Sequence, residues 1–339
     1  AIFGASTCSI LINAPGEAAT VATAFDGYPM AQQGYPGKAL AIAAYCSFSG
    51  GTIAVVFLML AAPALATVAK SFQSSDYFAL MILGLTAVSA FAGKGGILKS
   101  LLMTVLGLML ATVGTDQTSG VQRFTFGSMD LLDGISFLLL AMATFALNEA
   151  MFLVLRREKV SEDLDLKGLS KWSSLKVTKK EFKFILPSIL RSSVLGFFIG
   201  VLPGSGGTLG SFLSYGMERN LAPPEERKKF GKGSLRGLAA PETGNNAASS
   251  GSFVPLLTLG IPGSGTTAVM LGALIAYGIE PGPRMFVDRP DVFWAVIMSM
   301  YLGNIFLLIL NLPLIPYFAR LLAVPRTILV PAIFFFTFI

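Results

Sequence analysis

Three short stretches hold the residue types best suited to chemistry, and none of them is an acid–base pair. Ile261-Pro262-Gly263-Ser264-Gly265-Thr266-Thr267 interrupts an apolar run that resumes directly afterwards. Asn13-Ala14-Pro15-Gly16, followed by Thr20, does the same near the start of the chain, and Pro203-Gly204-Ser205-Gly206-Gly207 does it in the middle. Proline removes a backbone donor and glycine costs backbone entropy, so such breaks need compensation. Within lipid the cost is greater, because unpaired backbone groups find no water. A helix broken halfway exposes the first N–H groups of its second half, with about half a positive charge there, and that end binds carboxylates. The carbonyls ending the first half, at Leu259, Gly260 and Ile261, together with the Thr266 hydroxyl, suit a cation such as Na⁺. Ser264, Thr266 and Thr267 can donate to the anion or cap the helix.

The elements that position these residues follow from composition. Of 339 residues, 53% are hydrophobic and 13% charged, against about 25% charged in a soluble domain. Uncharged runs cover residues 39–69, 77–93, 100–115, 192–217, 243–279 and 292–319, and about 20 apolar residues span a bilayer as a helix. The chain therefore reads as an all-α polytopic membrane protein. It has no histidine and two cysteines, Cys8 and Cys46, both in apolar surroundings. A disulfide framework, a metal centre and a histidine proton shuttle are all disfavoured.

Residues 156–183 hold nine Lys or Arg against five acidic residues, and residues 218–236 hold six against three. Positive loops face the cytoplasm, which accounts for the net charge of +6 without nucleic acid. The stretch 184–217 between them then enters and returns on one side, a re-entrant hairpin with its tip at Pro203–Gly207. Crossings are expected at 39–68, 77–92, 96–114 and 134–155, with one more before Arg320. Both ends of the chain lie in apolar stretches, so it looks cut at both.

An internal repeat links two of the breaks. The stretch from Gly4 aligns with that from Gly251 at a constant offset of 247, pairing Pro15 with Pro262, Gly16 with Gly263 and Thr20 with Thr267. The loop charges run the two copies in opposite directions, the inverted arrangement of many secondary transporters. A lone Pro-Gly would read as a packing kink; three breaks, two related by repeat, point to a site. The division is 1–155 as first repeat with scaffold helices, 156–183 as linker, and 184–339 as second repeat, with hairpin 184–217 and broken helix 241–280.

Other polar residues leave alternatives open. Glu17 would repel an anion at a half-helix start, so it is a cation ligand or faces away. Glu149 is either functional at depth or snorkels to the surface. Arg191 reads as interfacial. Asn245 and Asn246, in a helix of small residues suited to close packing, line the pocket only if a kink or the hairpin brings them to Pro262.

The quoted motifs resemble the tripartite tricarboxylate transporters, specifically their large TctA-type membrane subunit. The resemblance runs along nearly the whole chain: "ATAFDGYPMAQQG" at 22–34, "TVGTDQTSGVQRFTFG" at 112–127, "GVLPGSGG" at 200–207, the block 230–274 and "GIEPGPRMF" at 278–286. It implies a cation-coupled carboxylate importer of the bacterial inner membrane, with a periplasmic solute-binding protein and a small membrane subunit as partners. It implies no resident cofactor, and it adds an earlier Pro-Gly hairpin before residue 1. Pro203–Gly207 with Ile261–Thr267 would form one half of the site, Asn13–Gly16 with Thr20 the other, and the loop 115–133 would dock the binding protein. Elevator-like motion of the hairpin core follows by analogy with other paired-hairpin folds. A passive channel and a scaffold subunit are the competitors; an enzyme lacks the acid–base groups it needs.

Overall fold

The computed structural model describes residues 4–13, 15, 17–70, 73, 75, 76, 78, 79, 82, 96–116, 120–135, 140, 175–202 and 206–321. Nearly all of the expected crossings at 134–155 and 77–92, most of the linker 156–183, Glu149, Ala14, Gly16 and the tip residues Pro203, Gly204 and Ser205 lie outside them.

In chain order the helices are α1 (Ala5–Ile12), α2 (Val21–Gln32), α3 (Pro36–Lys70), α4 (Gly96–Ala111), α5 (Lys179–Val201), α6 (Gly206–Leu221), α7 (Pro224–Arg227), α8 (Leu235–Gly251), α9 (Phe253–Leu259), α10 (Gly265–Ala276), α11 (Met285–Asp288) and α12 (Pro290–Leu321). A 3₁₀ turn, Ala18–Thr20, leads into α2. Among the described residues, the segments 36–61, 179–201 and 290–314 are long and apolar enough to cross a membrane. The architecture is mostly helical and that of a membrane protein. One feature departs from an all-α chain: β1 (Gly114–Thr115) and β2 (Gln122–Arg123) form an antiparallel ribbon, pairing Gly114 with Arg123. The Asp116–Arg123 ion pair at 2.8 Å and the Gly120 N–H bond to the Asp116 carbonyl close its turn.

Small residues place α8 at the centre. It packs against α2, α3, α5 and α6, and nearly all of its side chains are buried. A Cβ on Gly196 or Gly200 of α5 would strike the α8 backbone at Gly244 or Ala248, and one on Gly50 of α3 would strike Thr243. Helices approach this closely only where side chains are missing, the means by which membrane helices pack without a hydrophobic driving force. Apolar clusters sit at both ends of this contact: Ile10, Ile42, Ile185, Ile189 and Leu238 in one, and Leu58, Phe197, Leu257, Phe293 and Ile297 in the other. In contrast α4 exposes Leu101, Met103, Leu106 and Met109.

Helices α5 and α6 pack against each other as a helical hairpin. Near its base the buried Glu218 of α6 accepts from Ser188 (2.7 Å) and from the Arg191 guanidinium (2.7 and 3.1 Å), with Arg236 of α8 3.6 Å away. Arg191 thus ties the two arms together. From Glu218 to the start of α6 is about 18 Å at 1.5 Å per residue, past the middle of a 30 Å hydrocarbon layer. The arm α5 is itself long and apolar enough to cross a membrane.

Candidate functional site

Two of the three predicted interruptions fall on described residues, and at three pairs of positions 247 apart their backbones are alike. Asn13 ends α1 in the left-handed region (φ 52°) and donates to the Cys8 carbonyl; Gly260 ends α9 at φ 69° and donates to the Pro255 and Leu256 carbonyls. Glu17 and Ser264 are both extended (φ −143° and −156°) before the next turn begins. Thr20 Oγ1 donates to the Glu17 carbonyl and Thr267 Oγ1 to the Ser264 carbonyl, each at 2.9 Å. At Gly260 the positive φ combines with crowding, since a Cβ would meet the Pro281 carbonyl oxygen. Asparagine tolerates the left-handed region better than most residues, which lets it hold the equivalent place in α1.

The N-terminus of α10 is a capping box. Thr267 N–H donates to Ser264 Oγ (3.3 Å), and Ser264 N–H donates to Thr267 Oγ1 (2.8 Å). This reciprocal pair satisfies two of the end's donors. Of the three hydroxyls considered for a ligand, those of Ser264 and Thr267 therefore hold the helix end, and Thr267 is fully buried. Thr266 is exposed beside them. The Thr266 side chain takes no part in the capping box. Leu259, Gly260 and Ile261 make the turn before it, with Ile261 N–H bonded back to the Pro255 carbonyl (3.2 Å).

Each interruption touches the same hairpin, from opposite arms. The turn Ala18–Thr20 packs on α6, which begins at Gly206-Gly207. Gly263 packs near the Gly200 carbonyl at the end of α5 and against Ser252. Ser252 separates α8 from α9, so the single broken helix expected at 241–280 is broken twice. The turn after α9, at Gly260, brings Gly263 back beside Ser252 at the end of α8. Pro15 is half-buried and Asn13 exposed in the first interruption.

Asn245 and Asn246 are buried on α8: Asn246 Nδ2 donates to Asn245 Oδ1 (2.6 Å) and to the Glu242 backbone carbonyl (3.0 Å). Beside them lies a residue the sequence reading passed over. Glu242 is fully buried and accepts from Ser6 of α1, from Thr23 of α2 (2.8 Å) and from Ser47 of α3 (3.2 Å). It stood at the edge of the uncharged run beginning at Thr243, so segmentation by charge treated it as a boundary. A second buried carboxylate, Asp26 of α2, accepts the N–H groups of Gly231, Gly233 and Ser234 through one oxygen at 2.7–2.9 Å. Among the described residues no group of three His, Cys, Asp or Glu could hold a metal ion; Cys46 is buried and Cys8 half-buried, both as free thiols.

The model of the Tripartite tricarboxylate transporter TctA family matches residues 1–339, the entire chain. The chain belongs to the TctA family. This is a family of membrane transport components, which sets the enzyme reading aside. Two curated relatives come from Agrobacterium vitis. An uncharacterized 52.8 kDa protein in the TAR-I ttuC' 3' region is 46% identical over 335 residues, covering 98% of this chain and 65% of that protein. An uncharacterized protein in the TAR-II ttuC' 3' region is 48% identical over 141 residues, covering 42% of this chain and 57% of that protein. The chain thus spans somewhat under two thirds of the length of the curated relatives it matches. No solved structure matches it.

Proposed function

We propose that this TctA-family chain is the large permease subunit of a binding-protein-dependent secondary transporter in the bacterial inner membrane. It imports a tricarboxylate or related carboxylate, coupled to a cation, with Na⁺ the favoured ion. The observation that carries this reading is the matching of the two interruptions at one offset, both against one hairpin. Ile261–Thr267 with the Pro203–Gly207 tip forms one half of the substrate site, and Asn13–Gly16 with Thr20 forms the other. Asn245 and Asn246 stand behind them. Substrate carboxylates take the half-helix N-terminus at Gly265–Thr266, where backbone N–H groups and the dipole favour negative charge. Leu259, Gly260 and Ile261 offer carbonyls to the cation.

The inverted repeat is part of this proposal and rests on the opposite loop charges around the two copies. Within the fold α2 and α8 run antiparallel, since Asp26 meets residues 231–234 while Thr23 meets Glu242 further along α8. Inverted, interrupted helices at the middle of the bilayer are how many secondary transporters build a site that opens to each side in turn. Hairpin and interruptions would move together against the outer helices as an elevator. The ribbon loop, with Phe124, Phe126 (90% exposed) and Met129 at the surface, is the docking place for the periplasmic binding protein; exposed aromatics and Met are typical of interface cores. The small membrane subunit would cover exposed apolar helices.

The test is transport by the intact permease, with its small subunit and binding protein, in proteoliposomes. Labelled carboxylates from a panel of citrate, tartrate, dicarboxylates and aromatic acids should accumulate only under an inward Na⁺ gradient and exchange in counterflow. Downhill flux without counterflow would favour a passive channel, and no flux would favour a scaffold.

A further inference from the structure

Glu242 is a carboxyl group buried at mid-length in the central helix. Among the described residues no Lys or Arg forms an ion pair with it. Isolated carboxylates are too costly to bury, so such a group is paired, neutralised or functional. Its hydrogen-bonding neighbours bear oxygen: Ser6 and Ser47 on one carboxylate oxygen, Thr23 on the other, and the Asn245 side chain alongside. They come from α1, α2, α3 and α8, four elements with long sequence separations. The other titratable group facing the carboxylate is the Cys46 thiol of α3.

We infer that Glu242, Ser6, Thr23 and Ser47, with Asn245 beside them, form the binding site for the coupling cation, a monovalent ion of the Na⁺ type. This rests on the cation-coupled reading above and moves the ion from the carbonyls of α9 to this carboxylate. Hard cations take oxygen ligands, and divalent sites recruit several carboxylates, whereas one carboxylate with hydroxyls balances a single positive charge. Hydroxyl hydrogens rotate, so each oxygen now donating to Glu242 can turn a lone pair to an ion instead. A proton would need one acceptor and would not require hydroxyls gathered from three further helices. The placement also supplies coupling. Ser6 precedes the first interruption and Thr23 follows it, so an ion held here fixes both arms of that interruption to α8 and α3. The half-site of Asn13–Gly16 is then shaped when the cation is present.

Thermal unfolding of the intact protein in detergent, titrated with NaCl against choline chloride without any carboxylate, reads the site directly. The unfolding temperature should rise and saturate with Na⁺ and not with choline. Ser47→Ala and Thr23→Val should each need about tenfold more Na⁺ or higher, and Glu242→Gln should show no Na⁺ response. Should Glu242→Gln not fold, the two hydroxyl variants decide alone. An undiminished Na⁺ response in the variants, or a wild-type stabilisation that follows pH and ignores Na⁺, overturns the site. The readout needs no transport: Na⁺ binding lost with Ser47 and Thr23 in a protein that moves no carboxylate would sink the transport reading and leave this site standing. Carboxylate uptake with variants that titrate Na⁺ normally would do the reverse.

Discussion

Thr266 and Ser264 stand two residues apart and do different work, which separates ligand from scaffold at the level of single side chains. Ser264 caps α10, so Ser264→Ala should cost about 1 kcal/mol of stability and lower the unfolding temperature whether or not substrate is present. Thr266 is exposed and carries no part of the capping box. Thr266→Ala should leave the unfolding temperature alone and raise the KM for carboxylate about tenfold or more, since a hydrogen bond to a charged group contributes about 1.5–3 kcal/mol. Uptake kinetics beside thermal shift distinguish the two. The interruptions were legible in the sequence because Pro-Gly within an apolar run has no cheap alternative. Which hydroxyls cap and which face outward was not, because that depends on one extended residue, Ser264. Glu242 and Asp26 were not legible as partners, because their donors lie far away in sequence.

At the scale of elements, close helix packing and one ion pair hold the hairpin in place. Gly200→Val puts a side chain where the Ala248 backbone lies, and overpacking of this kind costs typically 1–3 kcal/mol. It should lower thermal stability and, by displacing the arm beside Gly263, reduce uptake as well. Arg191→Ala leaves Glu218 buried beside only the more distant Arg236. Removing one partner from a fully buried pair costs about 3–5 kcal/mol; the guanidinium is 38% exposed, so about half that loss is expected, and Arg191→Ala with Glu218→Gln together should recover part of it in unfolding measurements. Two basic loops flanking one uncharged run pointed to paired helices in this region. The break at Ser252 has its signal in Pro255, which lacks the N–H that would bond the Gly251 carbonyl and crowds it, a signal that charge spacing does not pick up. The β-ribbon was hidden because it is two residues to a side.

Across the whole molecule, the account requires that the site open to one side of the membrane at a time. The chain has two cysteines, so replacing Cys8 and Cys46 with Ser gives a background in which Thr266→Cys is the sole thiol. A membrane-impermeant reagent should label it from one face in the absence of Na⁺, and substrate with Na⁺ should shift labelling toward the other. Simultaneous labelling from both faces would fit a channel. Membrane class and broad architecture followed from charge spacing alone, because a charge in lipid is costly wherever it sits. The match between interruptions was readable as four identities at one offset, yet its physical content, the same left-handed and extended positions in each copy, emerged only in three dimensions.

An experimental density map of the intact protein with Na⁺ and a transported carboxylate bound would test the central claim most directly. The account predicts the anion between the two interruptions, within hydrogen-bond reach of the Gly265–Thr266 backbone and of the Asn13–Glu17 turn, with the hairpin tip alongside. An anion bound away from both, or interruptions lying at opposite faces of the membrane with lipid or packed helices between them, would contradict it.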